Sequence, residues 1–349
     1  MGEPRSESAP ASPSGSFLAA AAERASDLAV AANVGALLTD PKERQSALDI
    51  VGSLGLASAH LPELIGCLAD TDEQVAFAAA SMLCALDPLA LAPHASQILR
   101  QFESVPAAAR WRVVEALSAL EPEALAMHAD GVSRLAQASD ADTRRRAVEL
   151  MACLPELVLD VHAGAVLPLL SDEDEDCRLS VVELFGRLPI ASLERDVYVE
   201  PLLRTMRDDE EAMVRVGAVA VLAKVPVATL AAHTAAMMAC LDDTSWRVRR
   251  QASEVLVTAL PPHALAPHAD AVLARLSHSD PRVREWAVAT FARLASALEP
   301  AKAKEVGARA VGALKLVLGD EDRRVRERAA WLCGKLAEVA SGATPTPAT

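Results

Sequence analysis

One pattern recurs nine times along the 349 residues of the chain. Self-similarity at a fixed period constrains the fold more tightly than any composition, because each copy must be one supersecondary unit leaning on its neighbours. In the clearest copy, HSDPRVREWAVATFARL, an Asp is followed by Val283, Arg284, Ala287, Phe291 and Leu294. Aligned on that Arg, the series runs Arg44, Ala76, Arg110, Arg144, Arg178, Arg215, Arg249, Arg284 and Arg326, at spacings of 32, 34, 34, 34, 37, 34, 35 and 42 residues. Three positions on stand Ala47, Ala79, Val113, Ala147, Val181, Ala218, Ala252, Ala287 and Ala329. Seven on stand Val51, Leu83, Leu117, Met151, Phe185, Leu222, Leu256, Phe291 and Cys333. Offsets of 3, 7 and 10 trace one face of a helix.

Upstream of each Asp lies a second apolar-periodic stretch, such as LAPHADAVLARL, with Leu265, Val272 and Leu276 on one side. Two helices of about 12 to 15 residues and two short turns use up the period, leaving no room for strands. Pro88, Pro122, Pro155, Pro189, Pro226, Pro261 and Pro300 follow the second helix, where a residue that cannot continue a helix ends it. Composition agrees: 52% of residues are hydrophobic but only 3% aromatic, which suits helices packed through Ala, Leu and Val and disfavours an aromatic-rich β-sandwich.

The turn Asp and the Val-Arg-x-x-Ala start of the second helix resemble the HEAT repeat family, from Phe17 to about Leu336. A tetratricopeptide array would need an aromatic signature that one Tyr cannot supply, and armadillo units need a third helix. The resemblance implies an all-α, right-handed α-solenoid of about nine HEAT-type hairpins over residues 17–340, between disordered tails at 1–16 and 341–349. It also implies an Asp–Arg ladder between neighbouring repeats. The candidates are Asp40, Asp70, Asp140, Asp172, Asp209, Asp243, Asp280 and Asp322 with the Arg series, weakened where Ala76 replaces Arg and where the 102–109 turn lacks Asp.

The resemblance places the second helices on the concave side. There the offset five residues after the series Arg gives Asp49, Ser81, Glu115, Glu149, Glu183, Ala220, Glu254, Ala289 and Trp331, an acidic stripe, and the offset of one exposes Phe77 and Trp111. Two readings stand side by side. Arg145–Glu149 and Arg250–Glu254 are i,i+4 pairs that solubilise a face, worth about 0.3 kcal/mol each. Alternatively, Glu115, Glu149, Glu183 and Glu254 line a groove for a protein partner's basic segment, with Phe77, Trp111, Trp286 and Trp331 as anchors.

Six histidines are themselves periodic: His60, His94, His128, His162, His233 and His268, each near the start of a first helix, with Asp196 in the fifth slot. Equivalent positions in adjacent hairpins lie about 8 to 10 Å apart, too far to share one metal ion, so these read as edge residues of the repeat. In SDEDEDCRLSVVEL, Asp172, Asp174, Asp176 and Glu183 fall at calcium-ligand spacing, but Cys177 stands where the EF-hand turn needs Gly and the repeat puts Glu183 in a helix. That segment reads as an acidic inter-helix loop.

Net charge is −14, carried unevenly: residues 1–200 sum to −17 and residues 201–349 to +3. Gripping a phosphate backbone is disfavoured by that balance, leaving the Arg323, Arg324, Arg326 and Arg328 cluster as the candidate nucleic-acid contact. Six scattered Cys without paired spacing read as reduced thiols, and no signal peptide or bilayer-length apolar run is visible, so the expectation is an intracellular, cytoplasmic protein with the nucleus left open. Walker, GxGxxG, GxSxG and HExxH motifs are missing, no His precedes a Glu as an iron-holding HEAT-like hydroxylase would require, and no metal or cofactor is implied. The reading is a non-catalytic scaffold, with a HEAT-class enzyme resembling bilin lyases and a nucleic-acid binder as alternatives.

Overall fold

The computed structural model describes residues 33–297, 312 and 314–340, so both tails lie outside the described residues. Each position of the Arg series falls in a helix: α1 (Arg44–Leu54), α2 (Glu73–Cys84), α3 (Ala107–Ser118), α4 (Ala141–Met151), α5 (Glu175–Phe185), α6 (Ala212–Leu222), α7 (Trp246–Thr258), α8 (Pro281–Ala297) and α9 (Arg323–Ala340). No strand forms among the described residues. Their starts are capped locally. The side chains of Asp72, Asp140, Asp174 and Ser245 accept hydrogen bonds from the backbone N–H of Gln74, Thr143, Cys177 and Arg247, satisfying donors that have no partner inside the helix.

The described chain divides into two compact units between Ala138 and Ser139. In the first, α1 packs on α2 and α2 on α3; in the second, α4 to α9 each pack on the next. The periodic apolar positions form the core of each unit. All nine residues three after the series Arg, from Ala47 to Ala329, are fully shielded from solvent, and so are those seven after it from Val51 to Phe291. A small side chain at the first position lets helices approach, and a larger one at the second fills the space between them. Each buried Leu-sized side chain contributes about 1.5–3 kcal/mol.

The first helices are not single helices of 12 to 15 residues. They bend, and the bend falls at the periodic histidines. In the third repeat Pro88–Leu91 leads through a 3₁₀ turn, Ala92–His94, into Ala95–Gln101; in the fourth, Pro122–Ala126 and Ala129–Leu135 flank His128. His94, His128, His233 and His268 take φ near −100 to −116° with ψ near 0 to 17°, in the bridge between the helical and extended wells, and the His128 carbonyl accepts the Val132 N–H that starts the next segment. Ser96 Oγ lies 2.9 Å from His128 Nδ1, tying one bend to the next. In the fifth slot the residue at the bend is Arg195, not Asp196: Arg195 precedes the segment Asp196–Asp208 and reaches Asp160 at 2.5 Å. The prolines act chiefly as helix starters, at the first position of Pro88–Leu91 and Pro122–Ala126 and just before Glu156–His162, Ile190–Leu193 and Val227–Ala232. Pro300 lies outside the described residues.

The ladder joins consecutive repeats. Arg44 pairs with Asp70 in the first unit. In the second, the Nε of Arg144, Arg178, Arg215, Arg249 and Arg284 donates to Asp172, Asp209, Asp243, Asp280 and Asp320 in the following turn, at 2.6 to 2.9 Å. The same guanidiniums reach back: Nη1 of Arg178, Arg215, Arg249 and Arg284 donates to carbonyls of their own turns. Each of these carboxylates also accepts the backbone N–H two residues on. The last rung uses Asp320, six residues before its own Arg as in Asp172, Asp209 and Asp243, whereas Asp322 caps α9 by accepting from the Arg324 N–H. Hydrogen bonds from Arg284 hold the Asp320 carboxyl below its ordinary range against the opposing effect of burial. At Asp172 burial pulls the other way more strongly, yet the Arg144 bond and the Asp174 N–H together still bring it below.

Candidate docking surface

Where the first unit lacks its rung, aromatic side chains stand in its place. Ala76 leaves α2 without the Arg, and the turn before α3, where its partner would stand, offers Val105 and Pro106 in place of an Asp; Arg110 Nε reaches back to the Val105 carbonyl of its own turn at 2.9 Å, as Arg44 Nε does to Leu38. One residue further along each helix stand Phe77 and Trp111, 37% and 40% exposed, with ring centroids 6.1 Å apart and planes tilted by 50°. The Arg112 guanidinium lies 4.2 Å from the Trp111 ring centre and 5.7 Å from that of Phe77. Its Nη1 donates to Glu115 Oε2 at 2.8 Å. Behind the plate, Cys84 Sγ donates to the Arg112 carbonyl at 2.9 Å, and burial together with the Glu115 carboxylate pushes the Cys84 thiol up. The result is an open surface of two rings and a stacked cation, held in one geometry before anything binds.

The remaining expected site residues are not all alike. Trp286 is buried, 4% exposed, because it stands three residues after Val283 and four before Thr290, both fully enclosed; it is no surface anchor. Trp331 is exposed on α9. The acidic stripe is largely neutralised in place. Glu115 is held by Arg112, Glu254 by Arg250 at 2.9 Å and Glu149 by Arg146 at 2.8 Å. The pair expected between Arg145 and Glu149 is replaced: Arg145 turns to Asp142 and Asp176 instead. Glu183 is exposed on α5 and makes no ion pair among the described residues.

The acidic loop of the fifth repeat is committed to structure. Asp172 is bound by Arg144, Asp174 caps α5 through the Cys177 N–H, and Glu183 lies in α5 itself, so these carboxylates do not converge on an ion. Asp172, with Glu173, borders an open cleft of about 720 Å³ reaching Pro168, Pro201 and Arg204. Among the described residues no three His, Cys, Asp or Glu side chains are placed to hold a metal. Three members of the C-terminal Arg cluster have partners: Arg326 donates to the Asp320 and Glu321 carbonyls, Arg323 to Glu327, and Arg328 to Glu285. Of the six free cysteines, Cys67, Cys177 and Cys240 are buried and Cys84, Cys153 and Cys333 partly so; burial pushes Cys177 to about 12 and Cys240 to about 11. No single described helix is long and apolar enough to cross a membrane.

No model of a known protein family matches the chain, and no curated protein matches it in sequence. Solved structures do match in fold. Yeast importin-β, Kap95p, superposes with a TM-score of 0.57 at 15% identity over 89% of this chain and 44% of its own. The fold is a HEAT-like α-solenoid. Kap95p bound to Nup1 matches with a TM-score of 0.57 at 14% identity, covering 95% of this chain and 50% of that one. An engineered protein matches at 0.51 and 18% identity, covering 88% of this chain and 84% of its own. This HEAT-like chain spans about half the length of the importin-β chains it resembles.

Proposed function

We propose that the chain is a non-catalytic scaffold that docks protein partners on the exposed faces of its second helices. The observation that carries this reading is the Phe77–Trp111–Arg112 plate. Aromatic and Arg side chains dominate interface energies, and these three are stacked in place and half exposed, so little freedom is lost on contact. The plate sits where the repeat gives up a rung of its ladder, which exchanges an internal tie for an outward-facing surface. Importin-β offers a parallel, since Kap95p is seen with RanGDP and with Nup1. The partner segment proposed here has an apolar side chain for the rings and a basic one for the solvent-facing side of Glu115, whose side chain is 54% exposed.

Quantitative affinity purification with wild type and with a Trp111→Ala, Glu115→Lys variant tests this. The variant should lose at least one abundant protein that wild type retains, while its helical content is unchanged. Identical recovery by the two would remove this surface as the docking site.

A further inference from the structure

The second unit carries another exposed aromatic cluster, with the opposite electrostatic character. Trp246, at the start of α7, is 46% exposed. The guanidinium of Arg282, from the first turn of α8, lies 5.0 Å from the indole centre, and that of Arg247 lies 5.6 Å away. Arg247 Nη1 also touches Met213 Sδ at 3.8 Å, and Met213, on α6, is itself 45% exposed. Neither guanidinium meets a carboxylate among the described residues.

The repeat makes that lack informative. Two positions before the series Arg, the same structural slot holds Asp142 and Asp176 in earlier copies, and there the protein answers its own charge: Asp142 with Arg145 and Arg146, Asp176 with Arg145. In the seventh and eighth copies the slot holds Arg247 and Arg282; the answering position holds Arg250 in the seventh, and in the eighth it holds Glu285, which pairs with Arg328 at 3.0 Å instead. Each Arg has five N–H donors in a planar fork that matches a carboxylate bidentately. Stacking on Trp246 fixes those forks without using them. An aromatic face, a thioether and two open forks within one patch suit a ligand that is both apolar and anionic.

We propose that Met213, Trp246, Arg247 and Arg282 form a second docking site, for a short acidic peptide segment of a partner in which Asp or Glu residues bracket an aromatic or aliphatic side chain. The apolar residue covers Trp246 and Met213, and the carboxylates take the two guanidiniums. A nucleic acid fits less well: its backbone needs a row of cations, whereas Glu210 and Glu211 stand exposed just before Met213 and Arg250 is tied to Glu254. The inference shares the scaffold reading but uses a different surface.

A random peptide library displayed on phage and panned on the immobilised full chain separates the possibilities. The expected enrichment is of clones with Asp or Glu around an aromatic or aliphatic residue. Their affinity should fall at least tenfold with Arg247→Glu, Arg282→Glu and with the milder Arg247→Gln, Arg282→Gln variant, weaken with added salt, and survive Trp111→Ala. Thermal midpoints of the variants report whether they fold, and the Gln variant carries the test if the Glu variant does not. Absence of acidic clones, acidic clones indifferent to both variants, equal competition by single-stranded DNA, or self-association of the chain through the same residues would overturn the proposal. Loss of the acidic clones while clones sensitive to Trp111→Ala persist would leave the first surface intact.

Discussion

Arg284 shows how much one side chain of the repeat is asked to do. It binds Asp320 through two nitrogens, at 2.7 and 2.8 Å, and the carbonyls of His278 and Ser279 through a third, at 2.8 and 2.9 Å, so it closes its own turn and fastens the next. Arg284→Met keeps most of the stem and removes those bonds, leaving a shielded carboxylate short of its main partner. The expected cost is about 2–3 kcal/mol at pH 6, measured by urea unfolding. The pH dependence follows from the direction of the Asp320 shift. A carboxyl whose folded pKa lies below its unfolded value contributes stability that is complete above the ordinary 3.8 and is lost as pH falls through the depressed value. The gap between wild type and Arg284→Met should therefore be full at pH 6 and narrow below pH 3.8; a gap that stays constant on acidification would contradict the assignment. That this Arg belongs to a ladder was implied by the resemblance of its repeat to the HEAT family, although the expected partner in the last turn was Asp322 and the actual one is Asp320. That Trp286, two residues on, is buried was not legible in the sequence, since helical periodicity assigns a flanking position to neither core nor solvent until the neighbouring helices are in place.

Among the helices, glycine separates what packing demands from what it tolerates. A Cβ on Gly217, in α6, would stand 2.7 Å from Val182 Cγ1 of α5, whereas one on Gly66, in Leu61–Cys67, would meet nothing within 4 Å. Replacing a mid-helix Gly by Ala ordinarily gains about 0.5–1 kcal/mol. Gly66→Ala should gain roughly that amount. At Gly217 the added methyl presses on a β-branched side chain with little rotamer freedom, so the overpacking cost of about 1–3 kcal/mol wins and Gly217→Ala should destabilise. Unfolding curves for the two variants should move in opposite directions. The bends of the first helices belong to this scale as well. The histidine period marked a special position, but His has no strong backbone preference that would announce a bend; the bend is set by where Ala95, Ala129, Ala163 and Ala269 must tuck into the core on the far side of it.

For the whole molecule, the repeat implies cooperativity that is local, because each hairpin draws its stability from the one before and the one after. Two compact units split at Ala138 sharpen this. Scanning calorimetry should give a total enthalpy larger than the van't Hoff enthalpy of the main transition, and Arg284→Met should lower one transition only; a single two-state transition would argue that the units unfold as one. At this scale also lies the charge contrast between residues 1–200 and 201–349, which the two proposed docking surfaces follow, with Glu115 beside the first and Arg247 and Arg282 in the second. The sequence by itself determined the helical hairpin, its period and its buried face, since these follow from spacing along a helix of fixed pitch, while the ladder was an expectation from the resemblance to HEAT repeats. Only the tertiary structure decided which carboxylates are already bound by Arg, which Trp is covered, and which guanidiniums are left open, because those outcomes depend on which of several competing partners a side chain meets, some one turn away as for Glu115 and Arg112 and others in the next repeat as for Arg284 and Asp320.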